Sequence, residues 1–207
     1  MPRILPGEVA WYVTGRFYVD AQGAVLDVGY FLHLQGVAGA LFSGKPGART
    51  AHFTFAADPF TAKDLTNGRL KIALDAVGEF GIYLRREPGA RFRDPASFSA
   101  GEQVARLRRV SIVAGVTVER RARRAPLFAM NVFSAALVWS TEFEFGGRRY
   151  DLGRLLPNGV TQWGTASTVP VKAPRGYATA LPFVGSAVAV GGPPAAAPAP
   201  AAPAPQP

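Results

Sequence analysis

Alternation of apolar and polar residues with a period of two runs through most of this chain and constrains its fold more than any other feature. The alternating runs are rich in Val, Ile, Phe, Tyr, Trp and Thr, and Gly, Pro and Asp separate them. Such runs predict β-strands. Glu8 to Asp20 and Ala24 to Gln35 flank the loop Ala21-Gln22-Gly23, and we predict a hairpin in which Gly23 takes the left-handed conformation.

The same pattern predicts further strands along the chain. They are Gly39 to Ser43, Thr50 to Ala57, Arg69 to Asp75, Glu79 to Arg85, Gln103 to Glu119, Leu127 to Phe145 and Thr161 to Val169. A short helical turn is predicted at Phe60 to Leu65, with Asp58 as its N-cap and Pro59 at the first helical position, and Gly101 to Leu107 is a second candidate. Many short strands joined by hairpin-like turns predict an all-β fold. We expect a single antiparallel β-barrel of about eight strands, with a β-sandwich as the alternative.

Length and composition set the domain organisation. A chain of 207 residues usually makes one domain, and we place the barrel in residues 1–172. Residues 173–207 are predicted to form a tail, first apolar and then rich in Pro and Ala. Its last 15 residues are seven Pro, seven Ala and one Gln, a composition that favours a disordered, partly polyproline-II segment. We expect an inert tail; the alternatives are a spacer and a ligand for an aromatic groove.

Several chemistries lack the residues they require. The chain has no Cys, which excludes disulfides, thiolate metal sites and cysteine nucleophiles. The absence of disulfides favours a reducing compartment, and we expect a cytoplasmic protein. We expect no membrane span, because the most apolar stretch, Tyr177 to Gly192, is too short for a spanning helix. We also expect no cofactor and no metal, because the only two histidines are too few for a zinc site.

The candidate catalytic residues are His33, His52 and Asp27. Antiparallel pairing of the strands around residues 28 to 35 and 50 to 57, centred near 42 to 43, would place the two histidines opposite each other as an acid/base pair. The alternative is two polar-face histidines without chemistry. Asp27 lies in an apolar strand, and a buried carboxylate there could act as an acid or a base.

Aromatic residues provide a second candidate site. Tyr30, Tyr83 and Trp139 lie in predicted strands and are our candidates for binding a hydrophobic small molecule in the barrel interior. The leading functional hypothesis is therefore a small-molecule-binding barrel. The sequence leaves open whether this barrel has a cofactor-independent cyclase or isomerase activity, and thus whether the protein is an enzyme.

Positive charge is concentrated in one segment. The net charge is +9, and residues 85–124 contain eleven arginines and only four acids. The candidate residues for an anionic partner are Arg106, Arg108, Arg109, Arg120, Arg121, Arg123 and Arg124. The first three precede a predicted strand and the last four follow it, which predicts charged strand ends rather than one patch. The alternative functional hypothesis is a non-enzymatic assembly or interaction protein whose arginines bind an acidic protein or a polyanion.

Overall fold

A computed structural model describes residues 3–60, 63–67, 70–75, 78–110, 113–120, 123–167 and 169–192. In 63–67, 70–75, 113–120 and 123–129 it describes the backbone alone. The strands are β1 Val9–Val19, β2 Val25–Leu34, β3 Phe53–Ala57, β4 Lys63–Asn67, β5 Leu70–Asp75, β6 Glu79–Leu84, β7 Glu102–Arg109, β8 Val113–Arg120, β9 Arg123–Ser140, β10 Phe143–Phe145, β11 Arg148–Tyr150, β12 Val160–Ala166 and β13 Thr179–Ala189. A 3-10 turn spans Pro95–Ser99 and a one-turn helix, α1, spans Leu152–Leu155.

Eight of the strands form a closed antiparallel barrel, which confirms the predicted fold. The order around the barrel is β12, β13, β1, β2, β3, β6, β7 and β9, and β9 closes the ring by pairing with β12. The predicted first hairpin is present as β1 and β2, and Gly23 in its turn has a φ of +86°. Closure gives every barrel strand a neighbour on both sides, whereas a sandwich would leave edge strands.

Three strands continue the barrel beyond its rim. Along one edge of β9, β7 pairs with its second half, from Ser140 to Ala135, and β8 pairs with its first half, from Val132 to Arg123. β5 pairs in turn with β8, and β4 with β5. We call β4, β5, β8 and the first half of β9 the extension. The strands β4, β5 and β8 run in line with β3, β6 and β7. The single strand predicted from Gln103 to Glu119 is therefore present as two strands in line, β7 and β8.

Two local predictions are wrong. The short helix expected at Phe60 to Leu65 is not formed: Phe60 makes a two-way backbone bridge with Val25, and Lys63–Asn67 is β4. Long-range pairing to β2 and β5 outweighs the local cap signal of Asp58 and Pro59. The strand expected at Gly39 to Ser43 is only an isolated bridge, from Phe42 to Ala51.

The barrel also extends further along the chain than predicted. The boundary that we placed after residue 172 is wrong, because Thr179–Ala189 forms β13, a central strand between β1 and β12. Pro182 is compatible with this strand because its carbonyl accepts from the Ser167 N–H at 2.8 Å, past the end of β12. The Pro182 nitrogen, which carries no hydrogen, faces the same side. Because β12 has ended there, no strand carbonyl requires a backbone N–H from this residue. The Pro/Ala-rich residues 193–207 lie outside the described residues.

Aromatic side chains fill the interior of the barrel. At one level Gly15 of β1 lies opposite Gly29 of β2, and both face the lumen. A Cβ atom on Gly15 would lie 2.8 Å from the Phe183 ring, and one on Gly29 would lie 2.6 Å from the Phe55 ring. The two rings therefore occupy the space that side chains on these glycines would take, and Phe183 stacks on Phe17 with ring centroids 4.4 Å apart.

A second apolar cluster lies on the outside of the barrel, under a loop. Tyr18, Val28 and Ala180 point outward from β1, β2 and β13 and are buried by Ala90 and Phe98 of the segment between β6 and β7. Thr54 of β3 fixes this segment by donating to the Phe98 carbonyl at 2.6 Å. The loop is thus held against one side of the barrel.

Candidate functional site

The lumen contains a buried ion pair in an otherwise mainly apolar interior. Asp27 on β2 and Arg109 on β7 are 5% and 2% exposed, and their closest N–O distance is 3.4 Å. The Arg109 guanidinium lies 4.9 Å from the Phe60 ring centroid and 5.0 Å from that of Phe133. The carboxylate and the two ring faces together offset the desolvation of this cation.

Little space remains around this pair. The cavity lined by Trp11, Asp27, Phe31, Phe55, Phe80, Arg109, Phe133 and their neighbours has a volume of about 10 Å³, roughly what one water molecule needs. The Trp11 indole N–H donates to Gln162 Oε1 at 3.1 Å, which satisfies a second polar group in the lumen. Binding of a hydrophobic small molecule in the lumen stays a prediction, and the packing of this interior gives it no support.

The three aromatic candidates do not face the lumen. Tyr30 alternates with Phe31, and Tyr83 alternates with Ile82 and Leu84, so both point outward from strands whose other residues are buried inside. Partial burial on the outer face raises the pKa of both tyrosines. Trp139 lies opposite the outward-facing Arg106 and is 39% exposed.

The two histidines have separate partners. His33 is exposed, and its Nε2 lies 3.1 Å from Gln35 Oε1. His52 Nδ1 lies 2.9 Å from the Arg85 carbonyl oxygen, and its ring packs against Phe145. β2 and β3 do pair antiparallel, but in the register that sets Tyr30 opposite Thr54, one position from the expected one, and the pairing ends there. No ring contact or hydrogen bond joins the two histidines in the described residues.

Arg106 and Arg108 are already neutralised. Both donate to Glu79 of the neighbouring strand β6, and Arg106 also bonds Asp58 at 2.7 Å. The two arginine hydrogen bonds hold the pKa of Glu79 below its usual range. With Arg109 inside the barrel, none of these three arginines is available for an anionic partner without breaking an ion pair.

The second arginine cluster lies at the far end of the extension. In the strand register, Arg120 of β8 lies opposite Arg123 of β9. Arg109 of β7 lies opposite Ala135, twelve positions further along β9. At about 3.3 Å per residue, the two clusters are about 40 Å apart along the strand. Arg124 belongs to β9, described as backbone only, and Arg121 lies outside the described residues.

A different set of cations lines an open groove beside the barrel. We call it the basic groove. Its volume is about 520 Å³, and its charged and aromatic lining residues are Arg16, Lys45, Arg49, Arg91, Phe92 and Arg93. Lys45, Arg49, Arg91 and Arg93 are exposed, whereas Arg16 is half-buried. No acidic side chain lies within salt-bridge distance of these five cations in the part of the chain that the structure describes. The groove therefore concentrates five positive charges that are not engaged in ion pairs among these residues.

Side-chain hydrogen bonds hold the walls of the basic groove. On one wall, the Thr50 hydroxyl contacts the carbonyls of Lys45 and Gly47 at 2.7 and 3.1 Å. On the other, Tyr18 Oη donates to the Phe92 carbonyl at 2.7 Å. Burial raises the pKa of Tyr18 to about 12, so this donor keeps its proton at neutral pH. The walls are thus fixed before any partner binds, which limits the entropic cost of binding.

Arg16 and Phe92 form the floor of the basic groove. The Arg16 guanidinium lies over the Phe92 ring at 4.3 Å, in cation–π contact. Because the ring face is covered by this cation, Phe92 is a poor stacking platform for a nucleic-acid base. The floor presents fixed N–H donors instead, which suit carboxylate or phosphate oxygens.

Sequence reasoning missed the basic groove. Arg91 and Arg93 fall within the basic segment, but Arg16, Lys45 and Arg49 come from distant parts of the chain. A useful signal was present in residues 45–49, KPGAR, where two cations flank a turn with no acid nearby. It could not be linked to Arg16 without the pairing of β1 in the barrel.

Other kinds of site find no support in the described residues. Over those residues no cluster of three or more His, Asp or Glu side chains is arranged for a metal ion. None of their helices has the length and hydropathy that crossing a membrane requires. Comparisons with protein-family models, with curated proteins and with solved structures find no match to this chain.

Proposed function

We propose that this protein is a non-enzymatic interaction protein whose basic groove binds an acidic segment of a protein partner. The observation that carries this proposal is the set of five cations around one groove of about 520 Å³, none of which forms an ion pair among the described residues. Four of the five are arginines, whose planar guanidinium groups bind carboxylates and phosphates in pairs of hydrogen bonds. The cytoplasm stays the proposed compartment.

The shape of the groove favours an acidic peptide over nucleic acid. A non-specific nucleic-acid site usually follows the backbone along a basic stripe and offers free aromatic faces to the bases. Here the groove is compact, and its one aromatic ring is covered by Arg16. A short run of Asp, Glu or phosphorylated residues would match this concentrated charge.

Binding measurements with paired variants test the proposal. A fluorescein-labelled poly-glutamate peptide is titrated into the wild-type protein and into the double variant Arg49→Glu with Arg93→Glu. The control is Arg3→Glu with Arg148→Glu, which changes the same charge at two exposed arginines outside the groove. We expect the groove variant to bind at least about tenfold more weakly, equivalent to about 1.4 kcal/mol. The control should lose only the smaller, long-range part of the attraction.

Two further arms separate the alternatives. If a mixed-sequence single-stranded oligonucleotide binds more tightly than the peptide, and the groove variant abolishes this binding, the site is a nucleic-acid site. If the groove variant binds the peptide like its control while replacement of Arg120, Arg121, Arg123 and Arg124 by Ala abolishes binding, the partner binds at the tip of the extension. Either result would replace the proposal.

A further inference from the structure

A shallow apolar groove crosses the outer face of the barrel where three strands meet. Tyr12 of β1 lies opposite Ser186 of β13, which in turn lies opposite Trp163 of β12. The two aromatic side chains are 46% and 45% exposed, and the small Ser186 stands between them. Because neighbouring strands are about 4.8 Å apart, the two rings form walls about 10 Å apart. We call this the aromatic groove.

The floor and flanks of the aromatic groove are uncharged. Gly164, Gly185 and Ser186 form a floor with almost no side chain, and Leu32 and Val184 flank it. Leu32 and Val184 are 43% and 57% exposed, and the groove has a volume of about 290 Å³. An exposed apolar groove of this kind is typical of a binding surface. Its occupant should be uncharged and narrow enough to fit between two aromatic walls.

A polyproline-II segment has these properties. Pro-rich segments bind in grooves lined by Trp and Tyr, and their rigid helix loses little entropy on binding. The last 15 residues of this chain, PPAAAPAPAAPAPQP, are almost all Pro and Ala and have no charged side chain. They contain one Pro-x-x-Pro spacing, Pro200 to Pro203, which places two prolines on the same face of a helix with three residues per turn.

The point at which this segment leaves the barrel is compatible with its return. Gly192 is held at the barrel end by Asn158 Nδ2, which donates to its carbonyl at 2.9 Å. Its φ of +140° is a conformation that favours glycine, and with Gly191 it allows the chain to reverse. Ser186 lies six residues before Gly192, about 20 Å back along the strand. Pro200 lies eight residues after Gly192, about 25 Å away in polyproline-II geometry.

We propose that residues 193–207 fold back over the barrel and bind in the aromatic groove of the same molecule, with Pro200 and Pro203 between Tyr12 and Trp163. The two lengths match, so the Pro-x-x-Pro spacing reaches the aromatic walls without stretching the chain. Attachment at Gly192 gives the segment a high effective concentration at the groove, and a weak intrinsic affinity is then sufficient. A proline-rich segment of a partner would compete for the same surface.

The indole N–H resonances of the three tryptophans test this proposal in the full chain. The 15N-labelled protein is compared with a chain that ends at Gly192, a truncation that removes none of the described residues. We expect the resonance of Trp163 to shift, while those of the buried Trp11 and of Trp139, which lies outside the groove, stay in place. A synthetic peptide of residues 193–207, added to the truncated chain, should return the Trp163 resonance to its full-length position.

Two controls keep the result interpretable. In the full chain, Pro200→Ala with Pro203→Ala should reproduce the truncation shift, and Pro193→Ala with Pro194→Ala should not. The shift should be independent of protein concentration. Identical Trp163 resonances in the full and truncated chains would overturn the proposal. A shift that disappears on dilution would also overturn it, because the occupant would then be the tail of a second copy.

Discussion

At the scale of single residues, alternation along a strand determines whether a charged side chain points into the barrel or into solvent. Alternation predicts that Asp27 shares the face of Gly29 and Phe31, but only the structure shows that this face is the buried one. Arg109 was predicted as part of a surface cluster, which is wrong: it follows the inward-facing Leu107 by two residues and therefore points inward. The sequence could not show that Asp27 and Arg109 meet, because β2 and β7 are separated by β3 and β6 in the barrel.

Replacing one partner of this buried pair should destabilise the protein strongly. Asp27→Leu removes the carboxylate that lies 3.4 Å from the buried Arg109 guanidinium. We expect a loss of about 3 to 5 kcal/mol in the free energy of unfolding. The double variant Asp27→Leu with Arg109→Met should recover most of this loss, because it removes both charges of the pair. Urea unfolding monitored by circular dichroism gives both values. Equal losses in the single and double variants would show that packing, not charge pairing, matters here.

Glu79 should make stability depend on pH in the acid range. Its pKa is lowered in the folded state by hydrogen bonds from Arg106 and Arg108. A carboxyl with a lowered folded-state pKa stabilises the protein fully above its unfolded pKa, about 4.3, and the stabilisation is lost as the pH falls through the folded-state pKa. Urea midpoints of the wild type and Glu79→Gln should therefore differ at pH 6. The difference should begin to shrink as the pH falls below about 4.3 and should disappear only below the folded-state pKa of Glu79. A constant difference across this range would contradict the assignment.

At the scale of elements, local patterns predicted hairpins well and long-range pairing poorly. The β1–β2 hairpin follows from alternation around a Gly-containing loop, and β10 and β11 flank the tight turn at Gly146 and Gly147. The strand β13 was not predicted, because Pro182 and the pair Gly191-Gly192 are residues typical of loops and tails. The basic groove was out of reach for the same reason, since its residues converge only when β1 is paired inside the closed barrel.

Substitution of the paired lumen glycines should be costly. A Cβ on Gly15 would also lie 2.3 Å from the Val28 carbonyl oxygen, which belongs to the backbone of the neighbouring strand and cannot move away alone. We expect Gly15→Ala to lower the free energy of unfolding by about 1 to 3 kcal/mol or more. Gly44→Ala is the matched control, because its new Cβ would have no neighbour closer than 3.8 Å. Equal melting temperatures for both variants would show that the barrel can widen here at little cost.

At the scale of the whole molecule, a closed and filled barrel carries its interaction surfaces on the outside. The predicted barrel of about eight strands is confirmed, but a period-two pattern does not distinguish a filled interior from one that holds a ligand. The lumen volume depends on how Phe55 and Phe183 pack against Gly29 and Gly15, and this packing is set by register. The sequence therefore predicts the architecture but not the location of a binding site.

The filled lumen should bind apolar molecules only after a cavity is made. Phe133→Ala removes a ring that contacts Phe80 and Arg109, and we expect it to cost about 3 to 5 kcal/mol. Benzene should raise the melting temperature of this variant and leave that of the wild type unchanged. If benzene or another small apolar compound stabilised the wild type, the lumen would open in solution. The small-molecule hypothesis would then regain support.

The extension has a consequence for how copies of this chain can associate. Among the described strands, open edges occur in the separate β10–β11 hairpin and in the extension. In the extension, the outer edge of β4 is unpaired, as is the edge of β9 from Arg123 to the residue before Met130. β4 is the five-residue KDLTN, and β9 begins with two arginines. Short length and charge are features that resist fibril growth at exposed strands. We therefore expect the open edges of β4 and β9 to resist edge-to-edge aggregation.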